Sequence, residues 1–327
     1  MWYYDRIIIG YWFESSNVLY YNPEIRYKLN KYNCVHLFKY LANLLVCIYI
    51  IIFPFIALKY AGYKYKQYNV SYFQMVQFYL RNPLTLFTQG TAVYNGMIIN
   101  HIRNIQLTDL VGFMDKLYWD KLFRQNNVCT PNIIGYIIDG KPILQTQLED
   151  TCSYIIKPIH GYQGRQIQSY NITEDYSKMK DDFIIQQKVS FDYINVATHL
   201  RCITAFKNDE LSLCMLYLCI NPCESKIASN SGGATWFIIK NDKMRAVDTN
   251  EWINVPIKPH ILQQCIDQSL KLHQTFIERQ IPLNSIAFDI IIHNETPYFL
   301  EGNLFYGLIE NDIDFINTFD NYINCIM

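Results

Sequence analysis

The chain has 327 residues, of which half are hydrophobic and 16% aromatic, so it is not an intrinsically disordered protein and is long enough for two or three folded lobes. Its 28 basic and 29 acidic residues leave a formal net charge of -1, whereas a general nucleic-acid binder usually carries a basic excess. We therefore expect no nucleic-acid partner, and any phosphate-binding site must be local.

An apolar segment, Leu41 to Leu58, is the main feature of the N-terminal region 1–110. Asn43 is its only strongly polar side chain, and its eighteen residues are at the lower limit for crossing a bilayer. Pro54 is tolerable in a membrane helix and awkward in a soluble one, while lysines on both sides give no orientation. The segment predicts either a membrane-spanning helix or a buried helix that ends near Pro54.

The ten cysteines are irregularly spaced along the chain. The closest group is Cys214, Cys219 and Cys223, and no second CxxC or histidine pair accompanies it, which argues against a zinc site. Buried reduced thiols are the better interpretation, and they are typical of a cytoplasmic protein. Membrane association through 41–58 stays open beside that prediction.

The second half of the chain combines strands with two amphipathic helices. One helix is predicted from Gly112 to Asn126, and a longer one, with Pro259 near its start, has apolar residues at three- and four-residue spacing. The apolar stripe of the longer helix comprises Ile261, Leu262, Cys265, Ile266, Leu270, His273, Phe276 and Ile277. Strands are predicted over 153–159, 182–189, 198–206, 211–220, 234–240 and a terminal hairpin. This pattern indicates an α+β fold.

The terminal hairpin, Asp289 to Asn303, carries a candidate metal site. A turn centred on Glu295 would place Asp289 directly opposite Glu301, and Asn303 would return to the same face because side chains alternate along a strand. Two carboxylates and an amide oxygen are hard ligands that suit Mg²⁺, typically alongside substrate phosphates. The alternative is an ordinary hairpin with acidic tips.

A glycine-punctuated loop follows the strand that ends near Lys157. Gly161 and Gly164 would let backbone N–H groups approach a polyphosphate, and the Lys157 ammonium would supply positive charge. The loop lacks GK[ST] and no helix begins directly after it, so it is not a P-loop. A plain glycine hairpin with a surface lysine is the alternative.

Two further strands carry candidate binding groups. The apolar edge at 187–189 could pair its backbone N–H and C=O groups with an adenine. Arg201 lies in a strand whose other residues are typical of a core, and a planar, always-charged group in such a place commonly binds a carboxylate or phosphate. A structural arginine paired with a nearby acid is the alternative for Arg201.

The order of these features resembles the ATP-grasp superfamily over residues 112 to 307, about 60% of the chain. Asp115-Lys116 on the entry helix, the Lys-x-x-x-Gly-x-x-Gly loop and the Leu-Arg-Cys segment look like the glutamate-ligase branch. Ser231-Gly-Gly233, and Phe288-Asp289 before Glu301-Gly-Asn303, look like the sugar-transfer-associated ATP-grasp group. The resemblance implies an ATP-grasp fold, in which two α+β lobes grip ATP, here with an N-terminal helical or hydrophobic extension. The implied lobes are 111–185, the small one, and 186–327, the large one with the metal site.

The resemblance also implies the nucleotide contacts. Lys116 and Lys157 would contact the phosphates, and the loop from Gly161 to Gly164 would cover them. Gln187 and Val189 would offer backbone groups to the adenine.

The catalytic and metal-binding roles follow from the same resemblance. Arg201 would stabilise the transferring phosphoryl group or an acyl phosphate, and Lys157 would assist as a catalytic residue. Asp289, Glu301 and Asn303 would hold two Mg²⁺ ions.

The sequence departs from the family pattern at three places. Gln187 stands where these families usually have Glu, His199 stands where the glutamate ligases have Asp, and Leu-Phe-Tyr-Gly follows Asn303 without the usual Pro-Gly. The first change is mild because adenine contact there is largely through the backbone. The other two weaken any transfer of substrate identity.

The expected activity is an ATP- and Mg²⁺-dependent ligation, in which a carboxylate activated as an acyl phosphate is attacked by an amine or another nucleophile. The acceptor would be a small molecule, sugar or peptide, or part of a surface polymer. One alternative is a catalytically silent nucleotide-binding or membrane-tethered scaffold. Another is phosphoryl transfer to a hydroxyl group.

Overall fold

The computed structural model divides the chain into two compact units, one formed by 108–303 with Ile326 and the other by 1–107 and 304–325 with Met327. The residues that the structure describes are 52–66, 70–81, 115–149, 151–160, 167–179, 181–221, 234–279, 283, 285–303, 306, 312 and 314–326.

The second of these units has three described helices: α1 at 52–64, α2 at Tyr72–Arg81 and α5 at Phe315–Ile326. The first part of the predicted 41–58 segment lies outside the described residues. Its described part belongs to α1, which continues through Pro54 instead of ending there. Phe53, Ala57 and Ala61 recur at four-residue spacing and are buried along one face of α1, and this packing extends the helix. Among the residues described, no helix is long and apolar enough to cross a membrane.

The first described elements of the unit formed by 108–303 are helix α3, Lys116–Gln125, and a five-stranded antiparallel sheet. The strands are β1 Ile133–Ile138, β2 Lys141–Leu144, β3 Tyr154–Pro158, β4 Gln168–Ser169 and β5 Phe183–Gln187, in the spatial order β2-β1-β5-β3-β4. The prediction of a strand edge at 187–189 is wrong for Gln187 and Lys188, because β5 is the central strand and both N–H groups are paired; Val189 lies beyond the end of β5. The Gln187 N–H donates to the Asn132 carbonyl at 2.8 Å, and the Lys188 N–H donates to the Ser153 carbonyl at 2.8 Å.

A seven-stranded antiparallel sheet follows in the same unit. Its strands are β6 Thr198–Lys207, β7 Glu210–Ile220, β8 Thr235–Lys240, β9 Lys243–Ala246, β10 Trp252–Asn254, β11 Ser285–His293 and β12 Thr296–Asn303, in the spatial order β10-β9-β8-β7-β6-β11-β12. Helix α4, Pro259–Glu278, packs on β6, β7, β11 and β12, and α3 packs on β12. The predicted α+β class is confirmed.

Most predicted elements of this unit are observed within a few residues of their expected ends. Pro259 occupies the first turn of α4, as predicted. The buried stripe of α4 differs in part, because Ser269 and Leu272 are buried whereas Ile266, Leu270 and Ile277 are only half-buried. The hairpin β1–β2 was not predicted.

An aromatic core lies between the helices and the seven-stranded sheet. The Trp119 ring stacks on Phe123 at a centroid distance of 5.7 Å and meets Phe276 and Phe288 edge-on at 5.8 and 6.1 Å. These four side chains have at most 1% of their surface exposed. Burial of aromatic area on this scale fixes α3 and α4 against β11 and β12.

Candidate functional site

The hairpin of β11 and β12 carries the predicted acidic pair. Its two-residue turn, Asn294-Glu295, has positive φ angles of 49° and 55°, as the tight turns favoured in hairpins require. The turn pairs Ile290 with Phe299, and a β-bulge between Asp289 and Ile290 then shifts the register, so that Asp289 pairs directly with Glu301 and Ala287 with Asn303. The predicted pairing of Asp289 with Glu301 is therefore confirmed.

Asn303 joins the two carboxylates on one face of the sheet. Its Nδ2 donates a hydrogen bond to Asp289 Oδ2 at 3.2 Å and lies 3.5 Å from Glu301 Oε1. The residue between the two ligand candidates, Gly302, faces the aromatic core. A Cβ added there would lie 2.2 Å from the Trp119 ring, so only glycine fits at this position.

Arg201 on β6 lies opposite Asp289 and is paired with it. Its Nε donates to Asp289 Oδ1 at 2.8 Å and its Nη2 donates to Oδ2 at 2.9 Å, which makes a bidentate ion pair. The guanidinium carbon lies 5.0 Å from the centre of the Trp236 ring, within cation–π distance. This arrangement agrees with the alternative interpretation of Arg201 as a structural partner of a nearby acid. The predicted role of Arg201 in stabilising a phosphoryl group stays a prediction.

Charge and burial in this pair act in opposite directions on each pKa. Burial alone would raise the pKa of Asp289, but the Arg201 charge, His199 and the hydrogen bonds hold it below its usual range. Burial alone would lower the pKa of Arg201, but the charge and hydrogen bonds of Asp289 raise it. Both groups are therefore charged at neutral pH.

The two predicted lysines approach the acidic pair from the five-stranded sheet and α3. Lys116 Nζ lies 4.0 Å from Glu301 Oε2. Lys157 is only 8% exposed, so the alternative of a surface lysine is wrong. Burial lowers the pKa of Lys157 to about 8; Glu301 acts to raise it and Lys116 to lower it further. Burial likewise lowers the pKa of Lys116.

Backbone contacts fix the start of α3 beside the end of β3. The side chain of Asp115 caps the helix by accepting a hydrogen bond from the Leu117 N–H at 2.7 Å. The Lys116 N–H donates to the Ile159 carbonyl, which follows β3 directly, at 3.1 Å. These contacts hold Lys116 near Lys157, although the two residues are far apart in sequence.

The remaining predicted residues are only partly described. Gly161 and Gly164 lie in 161–166, outside the described residues, as does Ser231-Gly-Gly233. Gln187 is half-buried at the end of β5, where its Nε2 donates to Cys152 Sγ at 3.5 Å. Val189 is half-buried two residues beyond that strand.

A cavity of about 570 Å³ lies between α3 and the five-stranded sheet, beside Gln187. Its lining is mostly polar and comprises Leu117, Asp120, Arg124, Asn132, Ile133, Ile134, Tyr136, Gln145, Thr146, Gln147, Glu149, Cys152, Tyr154 and Gln187. A ligand in this cavity would contact Gln187 and the helical turn that follows Lys116.

His199 is a site residue that the sequence marked only as a departure from the family pattern. It is 8% exposed, and its Nε2 lies 3.7 Å from Asp289 Oδ1 with no hydrogen-bond partner among the described residues. Its ring meets Trp236 edge-on at 5.5 Å. Burial lowers the pKa of His199 to about 4, although Asp289 acts to raise it, so the imidazole is neutral at pH 7.

The donor atoms of Asp289, Glu301 and Asn303 fit Mg²⁺ as part of a coordination shell. Carboxylate and amide oxygens are hard ligands, and Mg²⁺ is commonly held by one or two carboxylates plus phosphate and water. In the described part of the chain, no group of three or more His, Cys, Asp or Glu side chains is close enough to hold a metal by itself. Water, or the phosphates of a bound nucleotide, would have to supply the remaining ligands.

No family model and no curated protein matches this sequence. Solved structures with a similar backbone include an L-amino acid ligase from Bacillus licheniformis, with 10% sequence identity and a TM-score of 0.43. The superposed region covers 64% of this chain and 44% of the ligase. They also include a D-alanine–D-alanine ligase from Bacillus anthracis complexed with ATP, at 13% identity and a TM-score of 0.41, with 73% of both chains covered.

A third similar structure is VanG D-Ala:D-Ser ligase from Enterococcus faecalis, at 12% identity and a TM-score of 0.39, with 65% of this chain and 62% of that chain covered. This chain thus spans less than half of the L-amino acid ligase.

Proposed function

We propose that this chain is an ATP- and Mg²⁺-dependent ligase of the ATP-grasp type, which activates a carboxylate as an acyl phosphate for attack by an amine or another nucleophile. The observation that carries the proposal is the position of Glu301. It lies beside Asp289 and Asn303 on one sheet, 4.0 Å from the Lys116 ammonium, and its charge acts on the buried Lys157. Clustered buried charges of this kind are costly and are typical of functional sites.

In the proposed reaction, Lys116 and Lys157 bind phosphate oxygens of ATP. The lowered pKa of Lys157 reflects a charge held in a site from which water is largely excluded, where its attraction for a phosphate is strong. Magnesium, when bound by Asp289, Glu301 and Asn303, would neutralise charge on the β- and γ-phosphates. The loop from Gly161 to Gly164 would cover the nucleotide, with the lobes 111–185 and 186–327 on either side.

Arg201 would stabilise the transferring phosphoryl group or the acyl phosphate. Its guanidinium is planar and always charged, and it lies on the same sheet face as the acidic pair. The adenine would be bound by backbone groups of Gln187 and Val189 other than the Gln187 N–H, which already donates to the Asn132 carbonyl. No serine or cysteine nucleophile is required, since catalysis rests on position and charge.

The acceptor is proposed only by class. A small molecule, a peptide or a sugar that carries a carboxylate or an amine would suit this chemistry, as would part of a surface polymer. An association with sugar transfer rests on the sequence resemblance alone.

A calorimetric titration with ATP and Mg²⁺ tests the proposal first, followed by an ADP-release screen against amino acids, peptides and amino sugars. We expect ATP binding and acceptor-dependent ADP release, both lost in Asp289→Asn. Asp209→Asn is the matched control, because Asp209 is exposed in the turn between β6 and β7. Failure of the wild-type chain to bind ATP in the presence of Mg²⁺ would overturn the proposal.

A catalytically silent nucleotide-binding protein is the second candidate. It is favoured by the pairing of Asp289 with Arg201 and by the histidine at position 199. The two candidates differ in turnover, since a silent protein would bind ATP without releasing ADP for any acceptor. Asp289→Asn would then leave its biological role intact.

A further inference from the structure

The buried Nε2 atom of His199 lacks a hydrogen-bond partner among the described residues. Buried polar groups are nearly always hydrogen-bonded, so such an atom calls for an explanation in the form of a ligand or an ion. The Asp289 Oδ1 atom lies 3.7 Å from this nitrogen, which is beyond hydrogen-bond distance. A third atom placed between the imidazole Nε2 and Asp289 Oδ1 could therefore contact both groups.

The separation of 3.7 Å is close to what one shared divalent ion requires. Ligand bonds of about 2.0 to 2.2 Å, at angles of about 90° to 120°, put two ligand atoms about 3.0 to 3.7 Å apart. A carboxylate oxygen has two lone pairs, and Arg201 Nε occupies one direction at Oδ1. The other direction is available to an ion bound by His199 as well.

We propose that His199 Nε2 is a nitrogen ligand in the cation site, together with Asp289. Imidazole nitrogen suits transition metals, whereas a site built only of oxygen atoms suits Mg²⁺. One of the two expected cations is therefore a borderline metal such as Mn²⁺, Co²⁺ or Zn²⁺ in preference to Mg²⁺. This inference rests on the proposed function, because it concerns the same cation site.

The contact between the His199 and Trp236 rings is consistent with this role for His199. The edge-on contact between the two rings, with centroids 5.5 Å apart, restrains the orientation of the imidazole. A ligand whose ring is held by packing loses little freedom when an ion binds. His199 is thus placed on a rigid strand, in a restrained orientation and at a distance from Asp289 that fits coordination.

The test is a calorimetric titration of the full chain with Co²⁺ alone and with Mg²⁺ alone, accompanied by the visible absorption spectrum of the Co²⁺ form. We expect His199→Gln to weaken Co²⁺ binding by about tenfold or more and to change its spectrum, with a much smaller effect on Mg²⁺. His293→Gln is the matched control, because His293 Nδ1 lies 3.5 Å from Asp192 Oδ1 outside the site. It should change neither affinity nor spectrum.

A second measurement uses only the wild-type chain and so does not depend on the folding of a variant. Mn²⁺ added to protein labelled with ¹⁵N-histidine should show electron–nuclear coupling to nitrogen in pulsed electron paramagnetic resonance. Absence of that coupling, or equal metal preference in His199→Gln and wild type, overturns the inference. Failure of Asp289→Asn to change binding of either metal would contradict both this inference and the proposed function, whereas a loss confined to His199→Gln concerns this inference alone.

Discussion

Arg201 and Asp289 form a bidentate ion pair across neighbouring strands, with donor–acceptor distances of 2.8 and 2.9 Å. Both side chains are largely buried, so each charge depends on the other for compensation. The same carboxylate is a proposed cation ligand. An ion that binds Asp289 must therefore share it with Arg201, and the strength of the ion pair sets part of the metal affinity.

Replacing Arg201 with Met should lower the free energy of unfolding by about 3 to 5 kcal/mol, because the Asp289 carboxylate would stay buried without its partner. Urea denaturation measures this loss. Added Mg²⁺ or Co²⁺ should restore more stability to this variant than to the wild type. Arg124→Met is the control, since Arg124 pairs with Asp120 at the surface and its loss should cost less than about 1 kcal/mol. Equal losses in the free energy of unfolding for the two variants would contradict the conclusion that the Arg201–Asp289 pair is buried and compensates its own charges.

Replacing Lys157 with Met should raise the free energy of unfolding at pH 7 by up to about 3 kcal/mol and abolish ATP binding. The pKa of Lys157 is about 8 in the folded chain, against 10.5 for an exposed lysine, so the buried charge opposes folding at neutral pH.

The same lysine predicts a pH dependence of stability. Between pH 8 and 10.5 Lys157 is protonated in the unfolded chain and largely deprotonated in the folded chain. The free energy of unfolding of the wild type should therefore rise with pH across this interval, and the Met variant should not show this rise. Urea unfolding at pH 7 and at about pH 10 measures both effects. Lys121→Met, at an exposed position of α3, should reproduce neither.

Replacing Gly302 with Ala should lower the free energy of unfolding by about 1 to 3 kcal/mol, because the new Cβ would overlap the Trp119 ring. The displaced strand would also shift Glu301 and Asn303 and weaken Mg²⁺ binding. In a double-mutant cycle, Trp119→Phe should reduce the cost of Gly302→Ala, since the smaller ring leaves room for the methyl group. If the stability losses of Gly302→Ala and Trp119→Phe were simply additive, the overlap of the new methyl group with the Trp119 ring would not be the cause of the loss.

Acid should destabilise the chain through His273, which is fully buried in α4. Its Nε2 donates to the Leu283 carbonyl at 2.7 Å, so Nδ1 accepts from the Thr204 hydroxyl at 2.8 Å, and the ring is neutral. Burial lowers its pKa from 6.5 to about 4. The unfolded chain therefore takes up the proton first, and the free energy of unfolding should fall by about 3 kcal/mol between pH 6.5 and 4.

Urea titrations between pH 7 and 4.5 test this dependence. His199 should lower the free energy of unfolding by a similar amount in acid, because its pKa is also about 4. The His273→Gln variant should therefore retain about half of the dependence of stability on pH. His260→Gln, at an exposed position of the same helix, should retain all of it. An unchanged slope in His273→Gln would show that this histidine is not the source.

Local patterns in the sequence were sufficient to place the acidic hairpin. A turn centred on Glu295, together with the alternation of faces along a strand, predicted Glu301 opposite Asp289, and the register confirms this pairing. The structure reaches it through a two-residue turn followed by a β-bulge between Asp289 and Ile290, which the sequence did not predict. Pro259 marked the first turn of α4 because its missing N–H is tolerated there. The sequence also nominated Lys116 and Lys157, whose side chains do approach Glu301.

Tertiary structure alone decided which strands are neighbours and which charges are paired. The hairpin β1–β2, absent from the sequence prediction, covers β5 and makes it a central strand, which removed the expected edge at 187–189. The ion pair joins residues 88 positions apart, and the unsatisfied His199 atom is recognisable only beside Asp289. Hydrophobic periodicity specifies which face of a strand is buried, whereas its neighbours depend on long-range packing that no local pattern encodes.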